Sequence, residues 1–167
     1  LLGNTPVCAV EIDEYCRDIL LQRQRDGMLP RFPIWDDIRT FDARPWKGRV
    51  DAVCGGFPCQ PFSTASRGRR VAEDLWPEML RVVKEVEPRF VFAENVQRHP
   101  IAKSAQDLED IGYVARKGCF DSAELGSPHR RPRFWLVAYS NGESEPRRPE
   151  HGEVAGVPAL SRLALWE

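Results

Sequence analysis

No stretch of this chain approaches the roughly 18 consecutive apolar residues that suggest a membrane span, and no signal-peptide pattern opens it. Neither sign of charge dominates: 24 basic residues stand against 25 acidic ones. Bulk charge therefore announces no nucleic-acid or membrane partner, and any polyanion site must be local. Regular cysteine pairing is missing too. Five cysteines, odd in number and irregular in spacing, argue against a disulfide framework and fit a reducing cytoplasm. Cys54, Cys59 and Cys119 also lack the paired spacing of a zinc site, and no metal is expected. No internal repeat is visible. What is present is a chain of 167 residues, at most one ordinary domain, whose hydrophobic fraction of 42% is enough for a sizeable core. It opens at Leu1, directly ahead of a strand-like run, and both of its ends read as cut from something longer.

The most informative stretch is Val50 to Ser63, VDAVCGGFPCQPFS. A short apolar run passes through Gly55 and Gly56 and delivers Cys59 into a loop held between Pro58 and Pro61. Proline fixes its own φ and restricts the residue before it, so Cys59 sits in a backbone with few alternatives. Two readings fit: a soft nucleophile presented at a strand's carboxyl end, or a small apolar cysteine in a tight turn.

Around it, strand and helix patterns alternate. Residues 6–12, PVCAVEI, read as a buried strand ending at Glu11, and from Asp13, placed as N-cap, Tyr15, Cys16, Ile19 and Leu20 recur at helical spacing. Glu11 is either a ribose-binding carboxylate or a surface acid favoured by the helix dipole. Residues 34–41, IWDDIRTF, form a short strand with Asp36 and Asp37 near its end. The TASRGRR stretch, with Arg67, Arg69 and Arg70, is a basic loop for phosphate or for solvent. Asp74 to Val86 is amphipathic, with Leu75, Met79, Leu80, Val83 and Val86 on one face and Pro77 in the first turn. RFVFAENV is an apolar strand ending on Glu94 and Asn95, followed by a helix over 101–111 and strands over 113–120 and 134–139. GSPHRRPR joins those two strands. From Ser140 onward Gly, Pro, Glu and Arg predominate, so 1–140 is the domain and 141–167 a linker. This order specifies an α/β fold with a mostly parallel, doubly wound sheet. The last two strands form an antiparallel hairpin at one edge, and a strand expected before residue 6 is missing.

Pro58-Cys59-Gln60, Glu94-Asn95-Val96 and Arg131-x-Arg133, in that order, resemble the motifs of the DNA (cytosine-5-)-methyltransferase family. GGFPCQPFS matches the family's catalytic motif nearly in full, and the resemblance covers roughly residues 6–139. It implies a Rossmann-like methyltransferase sheet, S-adenosylmethionine as cofactor and double-stranded DNA as partner. The context it implies is a bacterial or phage restriction-modification system, with a restriction endonuclease as functional counterpart and a monomeric enzyme. By resemblance Cys59 adds to cytosine C6, Glu94 relieves charge at N3, and Arg133 with Arg131 holds the O2 side. Read singly, Glu94 also fits a strand-end acid paired with an Arg, Asn95 a turn residue, and Arg131 with Arg133 a phosphate-binding or solvated basic loop. Glu11, Ile12, Asp37, Ile38, Phe57, Pro58 and Leu75 fall at cofactor positions, while Gln60, Ser63, Arg67 and Asn95 fall near the DNA. Leu75 and Trp76 also fit as packing residues at a helix start.

Several family features are absent or altered. The first glycine-rich motif and the target recognition domain are missing. His129 stands where Gln is common, and Ile12 where an aromatic commonly stacks on adenine. Two alternatives stay open: an RNA cytosine-5 methyltransferase of the same family, and a catalytically silent nucleic-acid binder using Arg67, Arg69, Arg70, Arg130 and Arg131 on phosphates.

Overall fold

The computed structural model describes residues 5–58, 73–140 and 164–165. The elements run β1 (Ala9–Val10), α1 (Glu14–Arg25), β2 (Ile34–Trp35), β3 (Ala52–Gly56), α2 (Trp76–Val86), β4 (Phe90–Asn95), α3 (Arg98–Glu109), β5 (Tyr113–Asp121), β6 (Pro132–Ser140) and β7 (Ala164–Leu165). Single 3-10 turns lie at Arg44–Trp46 and Ser122–Leu125.

β1 and β2 pair in parallel, and a five-stranded sheet has the order β3-β4-β6-β5-β7. β3 and β4 are parallel, while β6 is antiparallel to both β4 and β5. Thus β3, β4 and β5 share one direction, and β6 and β7 run against it. This is the Rossmann-like α/β arrangement the sequence implies, hairpin included. Among the described residues no strand joins the β1–β2 pair to β3. The expected linker, 141–167, lies outside the described residues except for Ala164 and Leu165, which pair with Cys119 and Gly118.

The helices follow from their ends and faces. Asp13 caps α1 by accepting from the Cys16 amide at 3.0 Å, as its position before the periodic run requires. α2 buries Trp76, Met79, Val82, Val83 and Val86. Its face is rotated from the expected one: Leu75 and Leu80 are only half-buried, and Trp76 and Val82 take the inner places. Pro77 occupies the first turn, where an amide is unsatisfied anyway. One core holds α2 and α3 against the sheet, with Met79, Val83, Ile101, Ala105 and Leu108 meeting Val91, Ala93, Leu136 and Ala138. Complete burial of an Ile or Leu such as Ile101, Leu108 or Leu136 contributes about 2 kcal/mol.

Three strands are shorter or wetter than expected. β1 covers only Ala9–Val10 of the 6–12 run, with Val7 exposed, and β2 only Ile34–Trp35 of the 34–41 run. In β4 Val91 and Ala93 are buried, but Phe92 between them is 37% exposed. Successive strand residues face opposite ways, and only one face of this sheet packs against helices in the described residues.

Candidate active site

β3, β4 and β6 bring the second and third sequence motifs together. Gly56, last residue of β3, lies opposite Glu94 on β4, and Glu94 lies opposite Trp135 on β6. Arg133 stands two residues before Trp135, so alternation returns its side chain to the face carrying Glu94. The Arg133 Nε–Glu94 Oε1 distance is 2.9 Å, and both side chains are about one-quarter exposed (23% and 27%). A methyl group placed on Gly56 would meet Glu94 Oε2 at 3.2 Å. Glycine thus leaves room for a carboxylate resting over the strand end while Arg133 holds its other oxygen. The pair borders a cleft of about 530 Å³ lined by Cys54, Phe92, Glu94, Arg131, Arg133 and Trp135.

Arg131 reaches this cleft from the connection between β5 and β6, which Asp121 organises. Buried Asp121 accepts from the Arg131 amide at 2.8 Å, the Ala123 amide at 3.2 Å and Arg130 Nε at 3.0 Å. The Arg131 amide, then the Ala123 amide, hold its carboxyl below the ordinary aspartate range. Sequence reasoning passed over Asp121. Its signal was present, because Asp121 followed three residues later by Glu124 is a capping-box spacing, and the box forms.

Asn95 belongs to the same motif as Glu94 but points the other way. It is 2% exposed; its Nδ2 donates to the Phe57 carbonyl at 3.0 Å and its Oδ1 accepts from the Gln97 amide at 2.9 Å. Phe57 is buried beside Trp76, with ring centroids 5.2 Å apart, whereas Pro58 is exposed. Cys59, Gln60, Ser63 and Arg67 lie outside the described residues.

Of the residues expected at the cofactor, Glu11, Ile12, Asp37 and Ile38 lie at the carboxyl ends of β1 and β2, while Phe57 and Pro58 follow β3 and Leu75 precedes α2. The Glu11 amide donates to the Trp35 carbonyl at 2.9 Å, which sets Glu11 beside the turn carrying Asp36 and Asp37. Glu11 Oε1 accepts from the Asp13 amide at 2.9 Å, and Ile12 next to it is 59% exposed. Asp37 is engaged by Arg39, whose Nε and Nη2 reach its two oxygens at 2.9 and 2.7 Å. That pairing, the Arg39 side chain first, lowers the Asp37 pKa. Arg39 also reaches Glu73 at 3.1 Å. Ile38 is half-buried, and its carbonyl accepts from Arg81 Nη2 at 2.6 Å. Leu75 is half-buried ahead of α2. A carboxylate, an exposed apolar side chain and a second carboxylate on adjacent strand ends suit a nucleoside: hydroxyls for Glu11, a flat ring for Ile12. Among the described residues no group of three or more His, Cys, Asp and Glu is placed to hold a metal ion, and no helix is long and apolar enough to cross a membrane.

The chain is similar in sequence and in fold to known proteins. The family model described as C-5 cytosine-specific DNA methylase matches residues 2–158. The Type II methyltransferase M.NgoMIV of Neisseria gonorrhoeae is 30% identical over 156 residues, 83% of this chain and 46% of the relative. The Type II methyltransferase M.PspPI of Psychrobacter sp. (strain TA137) is 35% identical over 117 residues, 62% of this chain and 28% of the relative. The chain therefore spans less than half the length of these relatives. Among solved structures, a variant of Spodoptera frugiperda DNMT2 superposes with a TM-score of 0.68 at 18% identity, over 94% of this chain and 51% of that one, a likeness of fold. With the family model matching nearly its whole length, this chain belongs to the C-5 cytosine-specific DNA methylase family.

Proposed function

We propose that the chain carries the catalytic centre of a DNA cytosine-5 methyltransferase that methylates a flipped-out cytosine in double-stranded DNA through a covalent bond between Cys59 and C6. The observation that carries this reading is the Glu94–Arg133 pair, held at the strand ends from which Phe57-Pro58 leads to Cys59.

The residues divide the work by their chemistry. Cytosine C5 is a weak nucleophile. Addition of the Cys59 thiolate to C6 moves the C5=C6 electrons into the ring toward N3 and O2. Glu94 donates a hydrogen bond or a proton at N3, and Arg133, with Arg131 at the cleft, offsets charge on the O2 side. S-adenosylmethionine, when bound, supplies the electrophilic methyl group that C5 receives. Glu11 would hold its ribose hydroxyls, Ile12 and Ile38 would border its adenine, and Phe57, Pro58 and Leu75 would complete the wall. Asp37 serves the same ligand only by sharing its carboxylate with Arg39. Loss of the C5 proton to water and elimination across C5–C6 then restore the double bond, return any proton given at N3 to Glu94 and release Cys59 as thiolate. A stacked base is inaccessible to this chemistry, so the target leaves the helix, with Gln60, Ser63 and Arg67 on the DNA side.

The setting is a bacterial or phage modification system with a restriction endonuclease as counterpart, and the protein acts as a cytoplasmic monomer. Support for the setting comes from relatives named Type II methyltransferases. The test is transfer of labelled methyl from S-adenosylmethionine to duplex DNA of mixed sequence, with bisulfite sequencing of the product. Label at C5 of cytosine, absent with Cys59→Ala, is expected. Label on RNA alone would replace the substrate class, and binding of DNA without transfer would leave a silent binder.

A further inference from the structure

Strand alternation sends Glu94 toward the cleft and its neighbour Asn95 toward the helices, where a second set of contacts has no place in the chemistry above. Both ends of the Asn95 amide are engaged, by the Phe57 carbonyl at 3.0 Å and the Gln97 amide at 2.9 Å, so the side chain has one orientation. The Phe57 ring packs on Trp76 with centroids 5.2 Å apart and planes tilted by 47°. Trp76 is the first residue of α2 and 2% exposed. Its Nε1–H donates to Asp107 Oδ2 on α3 at 2.7 Å, and its amide donates to Asp74 Oδ1 at 3.0 Å. A tryptophan needing only burial would be served by any apolar neighbour. A carboxylate at 2.7 Å instead fixes the plane of the indole, because the N–H lies in that plane. Phe57 stands two residues before Cys59, and Trp76 opens the helix after 59–72, so the two chain ends bracketing that segment rest on one another.

We propose that Asn95, Phe57, Trp76 and Asp107 form an anchor that sets where these two ends lie, making Asp107 a positioning residue for the reaction although it lies on α3, away from the cleft. The inference rests on the reading of Cys59 as nucleophile. Asn95 holds the outgoing end by its carbonyl, and Asp107 holds the returning end through Trp76. A displacement of about 1 Å at a reacting group costs on the order of a hundredfold in rate, so loosening one of the two holds is expected to cost about tenfold.

Three variants separate the anchor from general stability. Trp76→Phe keeps a ring against Phe57 and deletes the N–H. Asp107→Leu deletes the acceptor, and Asp107→Asn restores a neutral one. Each is compared with the unsubstituted chain in two measurements: the rate of covalent adduct formation at saturating duplex DNA carrying 5-fluorocytosine, with DNA Kd measured alongside, and amide hydrogen exchange. Expected for Trp76→Phe and Asp107→Leu is an adduct rate about tenfold lower with DNA Kd within about twofold, and faster exchange confined to residues 57–76. Asp107→Asn is expected to recover most of both. Equal adduct rates in all four proteins would overturn the proposal, as would exchange accelerated evenly through β5 and β6. If the unsubstituted chain forms no adduct, the Cys59 reading fails by itself, and exchange then decides: unchanged protection over 57–76 overturns the anchor, and a localised loss upholds it.

Discussion

Glu94 and Arg133 sit on strands that α2 and α3 back with a common core, whereas Glu11 and Asp37 sit on a βαβ unit whose helix, α1, buries none of its residues. Tyr15 on α1 is 73% exposed and Ile12 before it 59%. Among the described residues, the chain that follows β2 meets α2 through hydrogen bonds and apolar contact. Arg81 on α2 donates to the Ile38 carbonyl at 2.6 Å and the Phe41 carbonyl at 3.0 Å, and Glu85 accepts from the Ala43 amide at 3.0 Å. A small cluster of Ala43, Val82 and Val86 backs these bonds. Glu94 and Arg133 are thus set by close packing, and Glu11 and Asp37 belong to a unit joined to it through a few part-buried hydrogen bonds and a small apolar cluster. Packed cores resist displacement, while a region held by few contacts opens locally at lower cost. Changes on the first side are therefore expected to act on rate, and changes on the second on binding.

The sharpest way to break the comparison is Glu94→Gln, which keeps the shape and removes both the acid and the charge that faces Arg133. Covalent addition to a 5-fluorocytosine duplex is expected to slow by roughly a hundredfold or more, with DNA Kd little changed; an unchanged rate would remove Glu94 from the chemistry. Gly56→Ala tests the packing itself. Its methyl group would press on Glu94 Oε2 from 3.2 Å, and a rate loss of about tenfold is expected from a carboxylate shifted by a fraction of an ångström.

On the other side, Glu11→Ala is expected to raise the Kd for S-adenosylmethionine about tenfold, the range of one hydrogen bond to a charged group, while DNA affinity holds. Equal losses in both would make Glu11 a fold residue. The smallest effect is expected at Asp121, through pH. Its folded pKa is lowered by the Arg131 and Ala123 amides. The stability it contributes is therefore complete above the unfolded value near pH 4 and is lost as pH falls through the lower folded value. Amide exchange over residues 122–131 is expected to accelerate below about pH 4 in the native chain but not in Asp121→Asn.

Legibility followed the range of the interaction. Local signals held: the Asp13 cap, the first-turn Pro77 and the hairpin were all readable from spacing. The exposure of Phe92 was not legible, because an unbroken apolar run hides alternation and the outcome depends on which sheet face the helices cover. Period-two alternation already implied that Glu94 and Asn95 part company, but only the fold shows Asn95 meeting Phe57 and Glu94 meeting Arg133. The Trp76–Asp107 bond joins residues on different helices that no motif connects. The tie of Asp37 to Arg39 two residues on is a matter of side-chain geometry that spacing does not carry.

The central claim is that strand ends carrying Glu94 and Arg133 serve a nucleophile at Cys59. Its most direct test is covalent trapping: the chain is mixed with S-adenosylmethionine and duplex DNA containing 5-fluorocytosine, then resolved under denaturing conditions. Fluorine at C5 blocks the final elimination, so a working Cys59 stays bonded to the base. The account predicts an adduct that is lost in Cys59→Ala and slowed in Glu94→Gln. An adduct that persists in Cys59→Ala, or a folded chain that binds both ligands and forms none, would contradict it.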